Sequence, residues 1–537
     1  MATTTIPQTR AMGAEADLPD EIVEGQLLYS YEGNEYIDHD GVRTRLNPPG
    51  DWLEADTTSP NYIANKPDFV SLLNEIDIGR REVGGVNLYG VLWDKTSSSM
   101  QRLYDSASIT TDTTNFVYKG TINQSYDNPF DKIYPWSECK QCNVDLTAYR
   151  ALSTGDDIRD AVTAWYGDPD FATDGSNGFV GRYTPEFWYY GYESEEGKFV
   201  LVADKEIPGF IHHLPSIRSH GFAVDDGNGG VTSNDGQPMT NVAVSSIHTK
   251  ATAGGFTLLD VYEYDADVAL FMVEFASTDS QAKLGDGCSN CFIESNMVLT
   301  NNYDNATELL FPAELLPYAV PGATLDFGSS KGAVVLADRR TVVSSESYNS
   351  TYCKIKFTPS ISQTAYLYPS IHGVGNGDSL GNKSGYLGVN GKNNAWYRGV
   401  ILYGNRYQYV LGVARQTGTG HLWLCPAPEC DSYDGLDTSA FEDTGITVLS
   451  PSSNSWQQVG DYSIAEGKLS AWGPIKTAAS IVGDQQYCVT LSSQNTVPFV
   501  GCVAYSGAIC GVLGGIWGDI PSYSSWFHAT CLLLRSP

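Results

Sequence analysis

The chain has 537 residues, 63 acidic against 32 basic, and a formal net charge of -31. That length allows two or more domains and a large core, and that charge disfavours nucleic acid or an anionic membrane as an electrostatic partner. With 54 glycines, 33 tyrosines and only 18% charged residues, the composition suits a β- and loop-rich protein rather than a helical bundle. No apolar run is long enough to span a bilayer, so no membrane insertion is expected. The first 21 residues contain no apolar core segment, so no secretory signal is read there and synthesis in a cytoplasm is expected. Eleven cysteines without such a signal predict mostly reduced, buried thiols.

Residues 1–24 are Thr-rich and then acidic, with no periodicity, and are expected to be a disordered or attachment tail. Residues 25–82 form a second segment. Leu27, Leu28, Tyr29 and Tyr31, then Tyr36 and Ile37, flank Glu32-Gly33-Asn34 and predict a β-hairpin. Pro48, Pro49, Pro60 and Pro67 then mark an extended linker. Residues 83–537 are the third segment. A helix is expected where Asp156 can cap a stripe of Ile158, Ala161, Val162 and Trp165. A stronger helix signal follows, with Thr257 and Asp260 as a capping-box-like start. Leu259, Tyr262, Ala266, Ala269, Leu270 and Val273 supply its apolar face. Runs such as Gly332–Leu336 and Tyr352–Phe357 predict strands, and residues 286–372 are expected to be a β-rich insertion.

The C-terminal stretch Tyr505–Leu534 has a glycine-rich half, then Trp517, Tyr523, Trp526 and Phe527 with serines between them, then the apolar strand Ala529–Leu534. Glycines allow tight turns and close approach. Aromatic rings and serines suit a binding surface, and they equally suit the completion of a core.

Several motifs carry possible chemistry. Cys139/Cys142 and Cys288/Cys291 are two CxxC pairs that could jointly bind zinc, though they lie far apart and have no nearby histidine. His212, His213 and His220 cluster without a second ligand group, so loop packing is the simpler reading. The Asp225–Gly236 stretch hints at calcium but lacks the ligand order of a calcium loop. Gly377-Asp378-Ser379-Leu380 spells an esterase signature with Ser379 as nucleophile. Neither His421 nor His528 has an aspartate three residues before it. The sequence thus predicts no enzyme, no catalytic residue, no metal and no cofactor.

A family resemblance runs through the chain. "EGQLLYSYEGNEYIDHDGVRTRL" is similar to short modules of phage fibres, and "DWLEADTTSPNYIANKP" to a fibre linker. "YGVLWDKTSSSMQRLYD", "NPFDKIYPWSECKQC", "DGSNGFVGRYTPEFWYYGYE" and "ADKEIPGFIHHLPSIRSHG" resemble successive segments of one family of phage and prophage fibre proteins. "NNAWYRGVILYGNRYQYVLGV", "GVLGGIWGD" and "SYSSWFHATCLLL" continue the likeness, which covers most of residues 85–537 apart from the insertion. The resemblance implies an α+β fold. Its core would be a C-type-lectin-like domain with two helices and a small twisted antiparallel sheet, related to phage tropism determinants and formylglycine-generating enzymes. The β-hairpin and linker would precede it. Cys502, Cys510 and Cys531 lack a motif for the latter's chemistry.

Taken with the aromatic stretch, the resemblance implies a fibre-tip receptor-binding protein in the virion, made in a bacterial host cytoplasm. It would contact a host cell-surface glycan or protein through Trp517, Asp519, Ile520, Ser522, Tyr523, Ser525, Trp526, Phe527 and His528. The N-terminal region would contact other virion proteins. Fibre proteins are commonly trimers, so a homotrimer is expected, with no heptad repeat to enforce it. Some relatives vary such a segment by adenine-directed mutagenesis from a retroelement. Tyr, Ser, Asp, Ile, Phe and His, all reachable from Asn codons, crowd here. The alternatives are a structural virion protein using this face for subunit contacts, and a surface hydrolase acting through Ser379.

Overall fold

The computed structural model describes residues 85–110, 128–296, 301–330, 335–363, 368–377, 391–425, 441–448, 453–462, 495–507, 510–520 and 523–537, with short pieces between them and four strands before residue 46. The chain forms two compact units, Met1–Gly85 and Val86–Pro537. In the first, Ala11–Gly13 pairs in parallel with Leu27–Ser30, which pairs antiparallel with Glu35–His39 and that with Val42–Arg45. The rest of the expected tail and the proline-rich linker lie outside the described residues.

The larger unit corrects the expected α+β, lectin-like layout. The described residues are strongly β-rich, 43% strand against 14% helix. The described residues form several sheets of up to seven strands, which a two-helix fold around one small sheet does not accommodate. The described α-helices are α1 (Leu146–Ala151), α2 (Val244–Ala253), α3 (Val261–Phe275) and α4 (Ser280–Leu284). The helix expected after Asp156 is a 3-10 turn, Ile158–Ala161, capped by Asp157. It runs into the strand Val162–Trp165, because Val162 and Trp165 favour a pleated edge and Cys142 and Val144 offer one. The second expected helix is α3, and it starts later than Thr257. Thr257–Leu258 is a strand, and Asp260 is the N-cap, its side chain accepting from the Glu263 N–H at 3.0 Å.

One antiparallel sheet runs in the order Ile211–His213, Phe187–Ser194, Gly197–Ala203, Leu88–Trp93, Gln101–Tyr104. A six-stranded antiparallel sheet runs Thr257–Leu258, Leu532–Arg535, Ser216–Ser219, Phe179–Thr184, Lys140–Val144, Val162–Trp165. Thus Leu532–Arg535 lies inside a sheet rather than at its edge. Leu532 N–H donates to Ser219 Oγ at 2.9 Å across 313 residues of sequence.

Helix α3 is buried along nearly its whole length. Its apolar side chains join the main core with Trp93, Trp136 and Leu532. Its charged residues are buried too, and each meets partners. Asp267 Oδ2 lies 2.5 Å from the Arg218 guanidinium and its Oδ1 2.6 Å from that of Arg182. Glu274 is gripped by Arg398 at 2.7 and 2.8 Å and accepts from Tyr397 Oη at 2.9 Å. A helix this deep therefore joins the sheets by ion pairs as well as by apolar contact.

Between Phe292 and Val374 the chain builds a six-stranded antiparallel sheet in the order Phe292–Glu294, Tyr368–Val374, Ala323–Gly328, Val335–Ser347, Tyr352–Gln363, Tyr303–Pro312. This lobe has its own apolar core, including Phe311, Leu325, Phe327, Ile355 and Phe357. A seven-stranded mixed sheet carries the C-terminal stretch. It places Gly515–Asp519 between Gln485–Cys488 and Val497–Val500, and His528–Ala529 beside Tyr407–Tyr409. Among the described residues no helix is long and apolar enough to cross a membrane.

Candidate functional site: an aromatic face at the C-terminal stretch

The glycines of the C-terminal stretch serve close approach. A Cβ on Gly515 would sit 2.6 Å from the Phe499 carbonyl oxygen, so only glycine lets these strands meet here. Strand alternation then turns Trp517 inward. Its indole is 1% exposed and its N–H donates to Gln486 Oε1 at 2.6 Å. Trp517 thus holds the sheet and offers no surface, which its residue type alone does not reveal.

The rings that follow gather at the surface. Tyr523 is 44% exposed, while Trp526 and Phe527 are half-buried and pack against each other with centroids 5.5 Å apart. Two further rings join from elsewhere in the chain. Phe292, from the lobe, stacks on Trp526 at 5.1 Å with planes 6° apart. Tyr505, 46% exposed, lies 5.8 Å from Trp526 and 6.5 Å from Phe527. Sequence reasoning missed Phe292 as a partner because its contact is purely tertiary. Tyr505 opens the stretch that was singled out, but its flanking residues give no sign that it faces outward.

Trp526 is also supported by His372 and Arg406. The His372 ring lies 4.6 Å from it, and the Arg406 guanidinium stands over its ring at 5.7 Å. His372 Nδ1 is 2.9 Å from Asp326 Oδ2, and Arg339 Nε donates to Asp326 Oδ1 at 2.8 Å. Burial opposes ionisation of Asp326, but Arg339 and His372 outweigh it and hold its carboxyl well below the usual carboxylate range.

The polar residues divide. Asp519 keeps 24% of its side chain exposed, and its Oδ2 lies 3.1 Å from His528 Nε2. His528 is 2% exposed and stacks on Phe499 at 4.0 Å. Ser525 is buried, and its carbonyl accepts from the Asn241 N–H at 2.8 Å. Ile520 is half-buried, and Ser522 lies outside the described residues. The structure therefore brings Asp519, Tyr523, Trp526 and Phe527 together, with His528 buried beneath them, and leaves Trp517 and Ser525 inside as well.

Burial lowers the His528 pKa from its usual 6.5, and Asp519 opposes that shift without cancelling it. His220 is lowered by burial as well. The unfolded chain then binds more protons than the folded one just below pH 6.5, so stability rises with pH there. The contribution is complete above 6.5 and is lost as pH falls through the folded values. Melting temperature is expected to drop between about pH 7 and pH 5, and the drop should be shallower in His528→Phe. A slope unchanged by that substitution would show that His528 stays uncharged on unfolding or is protonated in the fold.

The other sequence candidates do not converge. His212 is exposed, pairs with Glu186 at 2.6 Å and stacks on Trp188 at 4.6 Å. His213 is buried with Nε2 3.0 Å from Glu263, and His220 packs near Trp396. Cys139 and Cys142 lie in the main core, and Cys288 and Cys291 in that of the lobe. Among the described residues no group of three or more His, Cys, Asp or Glu could hold a metal ion. Nine described cysteines are free and buried, and Cys425 is disulfide-bonded. In the acidic loop, Asp226 Oδ1 accepts the N–H groups of Asn228 and Gly230, both at 2.8 Å, so this carboxylate is taken up by its own turn. Ser379 lies outside the described residues.

No protein-family model matches the chain, and no curated protein matches it.

Proposed function

We propose that this protein is a receptor-binding protein of the phage or prophage fibre type, which attaches to a host-surface ligand through the aromatic face of its C-terminal stretch. The observation that carries the reading is the contiguous cluster of Phe292, Tyr505, Trp526 and Phe527 with Tyr523 and Asp519 beside it, part of it open to solvent. Tyrosine and tryptophan provide most of the energy at many binding surfaces, because they bury large areas with few rotatable bonds. The sequence resemblance to fibre proteins supplies the biological setting. In that setting the unit Met1–Gly85 contacts other virion proteins, the assembly is a homotrimer, and the protein acts on the virion without catalysis.

Adsorption of the purified full chain to a panel of bacterial strains tests this. A bound strain is expected, and Trp526→Ala should weaken binding about tenfold or more, as for a hot-spot aromatic. Adsorption to a strain that Trp526→Ala leaves unaltered, with melting temperature unchanged, would place the binding surface elsewhere. The retroelement proposal has a separate check. A template repeat and a reverse-transcriptase gene should adjoin the coding sequence, and their absence removes it.

A further inference from the structure

We infer that the ligand of this face is an uncharged glycan, bound on a composite platform to which the lobe contributes Phe292. The inference rests on the receptor-binding reading above. The outward groups are two phenols, Tyr505 and Tyr523, at 46% and 44% exposure. Among the described residues Tyr505 meets Phe292 and Phe527 edge-on and Trp526 at a tilt, and Tyr523 meets His528 edge-on. Among the described residues neither phenol has a stacked partner. Phe292 and Trp526, by contrast, are stacked on each other. Together they pack against Tyr505, and Tyr523 stands over His528, which is edge-on to Phe527.

A sugar ring offers a C–H face to an aromatic ring and hydroxyls around its rim. A tyrosine answers both with its ring and its Oη. Asp519 adds a partly exposed acceptor for hydroxyl donors, and Ser524, next to Tyr523 in the chain, is exposed. Trp526 and Phe527 are already half-buried against the protein's own residues. What remains outward suits one or two sugar rings better than the broad apolar anchor of a protein interface.

Charge selects within the glycans. The chain carries -31 overall. Among the described residues, the cation that ring contact brings to this platform is Arg406, which is fully buried. Its Nη1 donates inward to the carbonyl and the side-chain oxygen of Asn405, both at 2.8 Å. Buried at 0% exposure, it cannot reach a carboxylate or sulfate on a ligand. Among the described residues, a sialylated or sulfated glycan would meet Asp519 with no exposed cation in ring contact with the platform to match its charge.

The test is a glycan array carrying neutral, sialylated and sulfated oligosaccharides, probed with the full chain and with Tyr505→Ala, Tyr523→Ala and Phe292→Ala. Melting temperatures of the variants are read alongside. Signals confined to neutral glycans are expected. Either tyrosine substitution, at an unchanged melting temperature, should lower apparent affinity about tenfold or more. Binding restricted to sialylated or sulfated glycans overturns the inference, as does neutral-glycan binding that both tyrosine variants retain in full. Bacterial cells separate the two readings. If the array is silent and adsorption to cells is abolished by protease but survives periodate, the ligand is a protein, and only the glycan inference falls. If the chain binds neither array nor any strain, both readings fall.

Discussion

Asp267→Ala is expected to cost about 3–5 kcal/mol, the range for removing one partner of a buried ion pair. Asp267 lies on α3 between two guanidiniums, those of Arg182 and Arg218, all three side chains no more than 1% exposed. Neither arginine can shed its charge. Arg182 would keep a contact with Glu263 at 3.4 Å. Arg218 would be left with neutral acceptors only, Gln408 Oε1 at 2.6 Å and the Ile401 carbonyl at 3.2 Å. The loss is large beside a typical total stability of about 5–15 kcal/mol. Asp267→Asn keeps the shape and should fall between the variant and wild type. Thermal unfolding followed by tryptophan fluorescence checks both. A melting temperature for Asp267→Ala within about 2 °C of wild type would contradict the account, since a loss of about 3–5 kcal/mol should lower it by more than that even in a unit this large.

A second large loss is expected at the other end of the same helix. Arg398 grips both oxygens of Glu274 and donates to the Trp136 carbonyl at 2.9 Å, and its guanidinium lies 3.1 Å from Asp131. It ties together α3, the turn at Pro129–Lys132 and the segment after Tyr397. Arg398→Met removes the two-pronged partner of a Glu274 carboxylate buried at 0% exposure, and about 3–5 kcal/mol should be lost. The decisive measurement is the double variant Arg398→Met/Glu274→Leu. Removing the second charge should recover about 1–3 kcal/mol, because the penalty lies in the orphaned charge rather than in the lost attraction. Strict additivity of the two single effects would show that the pair is not coupled.

The glycine and tyrosine content already indicates strands, and the structure is β-rich. The error lies in the arrangement. Helical periodicity around Asp156 matched a turn followed by a strand, because Val162 and Trp165 sit three apart in either form. Helix α3 was visible, but its start was not. Thr257 and Asp260 stand at capping-box spacing, while the strand pairing of Thr257 with Leu533 draws the chain out of helix there. Three acidic residues of α3, Glu263, Asp267 and Glu274, are buried against arginines that come from far away in the sequence, Arg182 and Arg218 from strands and Arg398 from a turn.

The candidate face was legible in its chemistry and less so in its orientation. Side-chain type marked Tyr523, Trp526 and Phe527 as surface rings. Nothing local distinguishes them from Trp517, which the alternation of the strand Gly515–Asp519 buries. Phe292 enters only once the lobe has folded against Trp526, a contact spanning most of the lobe's own sequence and more.

The interior position of Leu532–Arg535 has a consequence for biosynthesis. Ser216–Ser219 and Thr257–Leu258 each need this late strand between them, and Leu532 closes onto Ser219 across 313 residues. While the ribosome is still making the intervening chain, those two earlier strands face a gap with unpaired amides and carbonyls. The large unit therefore completes its central sheet only after translation has passed Arg535, and a nascent chain halted before that point holds an open slot that another molecule's strand can enter.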